Sequence, residues 1–432
     1  MNATRTITRP TVATLPSGVS LVNAPTGSTN VGVYLIVRAG SRDEVPKTAG
    51  LAHFLEHMFF KGTPRRPTSI EISREFDSLG ALCNAYTDTE EVAYYCEAPA
   101  TAVGQLADIV TDMLSHPLFA PDEVERERNV VLQELANRLL SPEGWIADRL
   151  ANVAFGGDQP MSWSPAGLVP VVEAVSAQEL VAYHRSFYAP ESMALVISGG
   201  VTLREDEAEA MLRDIPKANP KPRQPAEWGM GEPYIAKVRP VSADEEQQIV
   251  MTFAFPGVAA RDPDRITLQV MQNALGGGMS SRLFNRVRER EGLCYYIGAG
   301  HEFFDDAGLF QISTATRPKD AVRTTQLSMT EFRKMAAEPL PSDELAICKE
   351  SIVGNLLRGT ETARGSAAWH ARRWRVGLPM VTPLDIAESV RAVTAEDVMR
   401  VSGRLVAGIP DVRLAFVAPT DMGTDLLDVA RN

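Results

Sequence analysis

His53-Phe54-Leu55-Glu56-His57 reads H-x-x-E-H. On a helix, positions 53 and 57 stand one turn apart and share a face. Two imidazoles so placed suit one zinc ion, and Glu56, set between them in angle, stands beside the metal without having to bind it. A carboxylate there is placed to take a proton from a water at the metal. Leu51, Phe54, Leu55 and Met58 supply apolar packing at helical spacing, and Lys61-Gly62-Thr63-Pro64 ends the pattern, which predicts a helix over 49–60. The chain holds only six histidines, so a chance pair flanking a glutamate is a poor account of the pattern.

A hydrolytic zinc site takes three protein ligands and keeps one position open. The stretch from Pro121 to Leu135 reads as a helix with acidic residues in its first turn. Most of its glutamates suit a solvated face. Glu134 differs, because Val130, Val131 and Leu135 put it on the border of the apolar stripe, and Glu127 lies two turns earlier on about the same face. A carboxylate half-sunk in apolar surface needs a partner, either a metal or a ligating histidine.

With these residues the chain resembles the pitrilysin-type (M16) zinc metallopeptidases, most closely the group of mitochondrial processing peptidase and its short bacterial relatives. The spacing from His57 to Glu134 agrees with that family. The resemblance implies that His53, His57 and Glu134 bind one zinc per chain, that Glu56 is the general base, and that Glu127 supports the site from behind. Two further segments match. Asn84-Ala85-Tyr86-Thr87, followed by Tyr94-Tyr95, alternates like an edge strand and its hairpin partner. In the family such an edge receives the substrate backbone as an added strand, which makes Asn84 and Ala85 substrate-binding candidates; Tyr94 and Tyr95 read better as ordinary strand residues. Arg288-Glu289-Arg290-Glu291-Gly292-Leu293-Cys294-Tyr295 resembles the family's Arg…Tyr pair. That pair implies catalytic and substrate-binding roles for Arg288 and Tyr295. Spacing alone favours Tyr295 over the adjacent Tyr296.

The setting follows from composition. The formal charge of −12 argues against nonspecific nucleic-acid binding, and with 44% hydrophobic and 23% charged residues the chain is globular in type. No apolar run is long enough for a membrane span. Cys83, Cys96, Cys294 and Cys348 include no C-x-x-C pair, and read as free, mostly buried thiols in a reducing compartment. The first residues, Met1 to Arg9, lack an apolar signal core, although their Thr and Arg content faintly suggests a transit peptide. A cytoplasmic location is expected.

The Pro-rich segment after Ala218 reads as a linker, and the order of strands and helices before it recurs after it. The expectation is an α+β fold of two homologous α/β-roll domains, each a mixed or antiparallel sheet covered by helices. Residues 1–218 would form the zinc-binding domain, 219–235 the linker, and 236–432 the second domain. Where a repeat would place the metal helix, Leu268 to Asn273 has no histidine, so one metal site per chain is expected. Gly276-Gly277-Gly278-Met279-Ser280-Ser281 lacks the lysine of a phosphate loop, and Trp369-His370-Ala371-Arg372-Arg373-Trp374 suits core packing with a basic face. Short members of the family build a closed clamshell chamber from two chains. The resemblance therefore implies an endopeptidase acting on unfolded peptides, as a homodimer whose sites are completed in trans by Arg288 and Tyr295. The rival expectation is a non-catalytic structural or partner subunit of such a complex.

Overall fold

Asn30–Val37, the strand β3, explains the architecture of the first half. Its sequence NVGVYLIV is buried from Val31 onward, so both of its faces are covered. Val31, Val33, Leu35 and Val37 point into one core, while Tyr34 and Ile36 point into another on the opposite face. The computed structural model describes residues 8–156, 159–218, 222–239 and 248–432. Residues 1–7, most of the segment read for a targeting signal, and 219–221 of the expected linker lie outside them.

Two compact units emerge. The first contains a six-stranded sheet ordered β1-β2-β6-β3-β5-β4. Its strands are β1 Thr11–Thr14, β2 Ser20–Pro25, β3, β4 Leu82–Thr87, β5 Val92–Pro99 and β6 Met193–Gly199. The second has a five-stranded sheet ordered β7-β11-β8-β10-β9. Its strands are β7 Tyr234–Val238, β8 Ile249–Pro256, β9 Cys294–Phe303, β10 Gly308–Thr316 and β11 Arg413–Ala418. Setting β1 aside, the two orders are the same when strands are matched in chain sequence. The directions match as well: β2 runs parallel to β6 and β7 to β11, and every other pairing is antiparallel. The recurrence read in the sequence is therefore a repeated topology, and both sheets are mixed and helix-covered.

The units do not follow the cut at 218 and 236. Residues 137–162 join the second unit, and 356–385 join the first. Helix Ala363–Arg375 lays Ala367, Ala371 and Trp374 on Val22, Tyr34, Ile36, Ala93, Ala194 and Val196 of the first sheet. Gly32 permits this contact, because a Cβ there would stand 2.5 Å from the Ala363 carbonyl oxygen. Reciprocally, helix Pro142–Phe155 lays Ile146, Leu150, Val153 and Phe155 on Val250, Ala254, Leu309, Ala315, Ala415 and Val417 of the second sheet. Each large side chain so buried stabilises by about 1.5–3 kcal/mol, which offsets the ordering of the exchanged segment. The cluster around Trp369 is thus helix packing, as expected, but of the expected basic face Arg373 is buried, donating to the Pro379 carbonyl. β7 begins within the expected linker, and Phe284–Arg290 is wound as a π-helix.

One expectation is corrected outright. Cys83 and Cys96 are not free thiols but a disulfide, bridging residues that face each other across β4 and β5 with Cα atoms 4.1 Å apart. Such directly opposed positions in an antiparallel pair bring side chains close. Two of the four thiols behind the reducing-compartment expectation are therefore bonded; Cys294 and Cys348 are free. Among the described residues, no helix is long and apolar enough to cross a membrane.

Candidate metal centre

Helix Leu51–Met58 carries the motif. Leu51, Ala52, Phe54, Leu55 and Met58 are buried in the first unit's core, which leaves His53, Glu56 and His57 as the stripe facing away from it. The helix start is built tightly. Gly50 has φ +107°, and a Cβ there would come 2.8 Å from the Gly167 Cα, so only glycine fits. The buried Glu44 carboxylate accepts the Gly50 and Ala52 amides, each at 2.8 Å, satisfying donors that a helix start leaves orphaned. Burial pushes the Glu44 carboxyl up to about 8 despite those hydrogen bonds.

Helix Pro121–Leu140 brings the distant carboxylates. Glu134 Oε2 lies 3.6 Å from His53 Nε2 and 3.5 Å from His57 Nε2. A tetrahedral zinc with donors at about 2.0–2.2 Å keeps them about 3.3–3.6 Å apart. The donor set, two imidazole nitrogens and a carboxylate oxygen, suits that ion, and both His–Glu134 separations match its spacing. Among the described residues this is the one group of three metal-ligating types whose donor atoms all fall within 4.8 Å of one another. Glu134 is half exposed, leaving the group open to solvent on its side.

Glu127 stands behind His57. Its Oε2 lies 3.0 Å from His57 Nδ1 and its Oε1 lies 2.6 Å from Lys61 Nζ. Burial opposes the Glu127 charge, but hydrogen bonds from His57 and Lys61 outweigh it and hold the carboxyl below its usual range. For His57, burial opposes the protonated ring, yet the Glu127 bond and the neighbouring carboxylates push its pKa up. With Nδ1–H donating to Glu127, Nε2 keeps its lone pair for a metal.

Glu56 is half buried beside the histidines. Burial raises its pKa, against the lowering effects of a hydrogen bond from Thr87 and of His57. Thr87 Oγ1 donates to Glu56 Oε2 at 2.5 Å. β4, which carries Thr87, is the sheet edge read from the sequence. Asn84 on it is exposed and Ala85 half buried; the Asn84 amide oxygen accepts the Ala85 N–H at 2.8 Å. Tyr94 is buried in the core and bonds the Tyr188 hydroxyl, as a strand residue should.

Arg288 and Tyr295 belong to the second unit. The Arg288 guanidinium lies 4.5 Å over the Phe284 ring. Tyr295 stands 77% exposed on β9, the edge of its sheet and the counterpart of β4. Three contributors were given no place in the site by the sequence. Lys61 lies one turn beyond His57 and so carried a signal. Thr87 was visible beside Asn84 without a reason to single it out. Glu44 gave none, because its capping depends on tertiary structure.

A mixed-sheet topology repeated twice, with an H-x-x-E-H helix and a distant glutamate beside it, is the architecture of a metallopeptidase class. The model for insulinase (peptidase family M16) matches residues 19–161, and that for the peptidase M16 inactive domain matches 174–352. An uncharacterized zinc protease of Mycobacterium tuberculosis is 32% identical over 412 residues, covering 92% of this chain and 91% of its own. Another, of Rickettsia bellii, is 29% identical and covers 95% of this chain and 98% of its own. The chain belongs to peptidase family M16. In solved structures, a protease from Helicobacter pylori matches with TM-score 0.85 at 18% identity, over 96% of this chain and all (100%) of that one. A peptidase M16 inactive domain from Pseudomonas fluorescens matches with TM-score 0.83 at 20% identity, over 95% and 98%. At these identities the two structures bear on the fold alone.

Proposed function

We propose that this chain is a zinc-dependent endopeptidase that cleaves unfolded peptides in a closed chamber. The convergence of His53, His57 and Glu134, with Glu134 Oε2 at zinc spacing from both Nε2 atoms, carries the reading. The names of the relatives, zinc proteases, support it. Bound there, zinc would supply a Lewis acid for the attacking water and the scissile carbonyl. Glu56 takes a proton from that water as its oxygen attacks the carbonyl carbon. It then gives the proton to the leaving nitrogen as the C–N bond breaks; the products are a carboxylic acid and an amine, which leave as carboxylate and ammonium. Glu127, held by Lys61, fixes the His57 tautomer throughout. Asn84 and Ala85 on the β4 edge receive the peptide backbone. For that, the Asn84 side chain must release the Ala85 N–H. Arg288 and Tyr295 grip the peptide or steady the oxyanion, supplied by the second chain of a homodimer.

Metal analysis with fluorescence-quenched peptides tests this. Glu56→Gln should keep zinc and lose turnover by roughly 10²–10⁴-fold, and His57→Ala should lose both. Abundant cleavage by Glu56→Gln would remove Glu56 from the base role. Protein without zinc or cleavage would favour the non-catalytic subunit, and zinc without peptide cleavage another hydrolase.

A further inference from the structure

We infer that the Thr87 hydroxyl is the positioning group for the Glu56 carboxylate, fixing one oxygen so that the other is presented to the attacking water. The inference rests on the endopeptidase reading above and deepens it. A glutamate side chain has three rotatable bonds, and holding it in one conformer costs about 1.5–2 kcal/mol of rotamer freedom. Something must supply that restraint if the base is to be ready. Among the described residues, Glu56 has one hydrogen bond, from Thr87 Oγ1 to Oε2 at 2.5 Å, and Oε1 has none. That length is typical of a hydroxyl donating to a charged carboxylate, the strong kind of hydrogen bond.

Thr87 is itself well fixed. It is the last residue of β4, paired with Val92 of β5, and its β-branched side chain has few rotamers. The base is thereby referenced to the sheet and not only to its own helix. The same strand carries Asn84 and Ala85, so an incoming peptide paired on that edge and the carboxylate that activates water against it are aligned by one rigid element. Misplacing a catalytic group by about 1 Å costs on the order of 10²-fold in rate.

The test uses the full-length protein and fluorescence-quenched peptides. Thr87→Val keeps shape and removes the donor; Thr87→Ala replaces it if the valine variant does not fold. The expected result is kcat lowered roughly 10- to 100-fold, with KM within about 2-fold and zinc content unchanged. Thr87→Ser should restore the rate. In a Glu56→Gln background, Thr87→Val should cost nothing more, because residues acting as one unit are not additive. Unchanged kcat in Thr87→Val, no rescue by serine, or an equal further loss in the Glu56→Gln background would each overturn the inference. If the wild-type protein cleaves no peptide, the endopeptidase reading fails. Crystal structures of the metal-free wild type and Thr87→Val then decide this point alone: the Glu56 carboxylate must leave its place in the variant, and if it stays, Thr87 does not position it.

Discussion

Replacing Glu127 by alanine removes the acceptor 3.0 Å from His57 Nδ1 without touching any of the three candidate zinc ligands. Two effects follow. The His57 ring loses the bond that fixes its tautomer and orientation, and Lys61 loses the carboxylate 2.6 Å from its ammonium. Removing such an outer partner of a ligating histidine typically lowers metal affinity 10- to 100-fold, about 1.4–2.7 kcal/mol. The buried position of Glu127 favours the upper part of that range, since little water is at hand to replace the carboxylate. Competition against a chromophoric zinc chelator at pH 7.5 would measure it, with Glu56→Gln as control. The control should bind zinc within about 3-fold of the wild type, because in the proposed site Glu56 stands beside the metal without ligating it. If Glu127→Ala binds zinc as tightly as the wild type, the role assigned to the Glu127–Lys61 pair is wrong, whatever the chain's activity.

Three further outcomes are expected. Burial lowers the His184 pKa to about 4, against an ordinary 6.5. The neutral ring is the form the fold accepts, so its contribution is whole above pH 6.5 and is lost as pH falls toward 4. His184→Phe should flatten the pH dependence of unfolding across that window by up to about 3 kcal/mol, and an unchanged slope in urea titrations would refute the assignment. Gly50→Ala should lower the melting temperature, since φ +107° and the nearby Gly167 Cα leave no room for a Cβ; the cost should exceed about 1 kcal/mol. Finally, mixing Glu56→Gln with Arg288→Ala chains should recover about a quarter of wild-type activity if dimers assort randomly and sites are completed in trans; heterodimers no more active than either parent would refute that arrangement.

The parts of the site that were legible in the sequence are those fixed by helical geometry. His53, Glu56 and His57 share a face because of their spacing, and Glu127 and Glu134 share one for the same reason. The apolar neighbours of Glu134 marked the border it occupies. The capping by Glu44 was not legible because it needs the loop before the helix to fold back on the helix start, and the bond from Thr87 to Glu56 was not because it joins a strand and a helix whose approach is decided only when they pack. Cys83 and Cys96 illustrate the same limit: the two strands were read, but the bond requires their register. The repeat was visible as a recurring order of elements. The amphipathic pattern of Ala363–Arg375 shows that one side is buried, yet it carries no mark of which sheet receives it.

That exchange has a consequence for synthesis. The amino-terminal sheet is complete in its strands once Gly199 has left the ribosome, but the helix that lies over Tyr34 and Ile36 is not made until Arg375. For some 170 residues of elongation a sticky sheet surface waits for its lid. Until Arg375 is made, that apolar surface is uncovered in the nascent chain, and uncovered apolar surface of this kind favours aggregation, which a chain with self-contained halves would avoid.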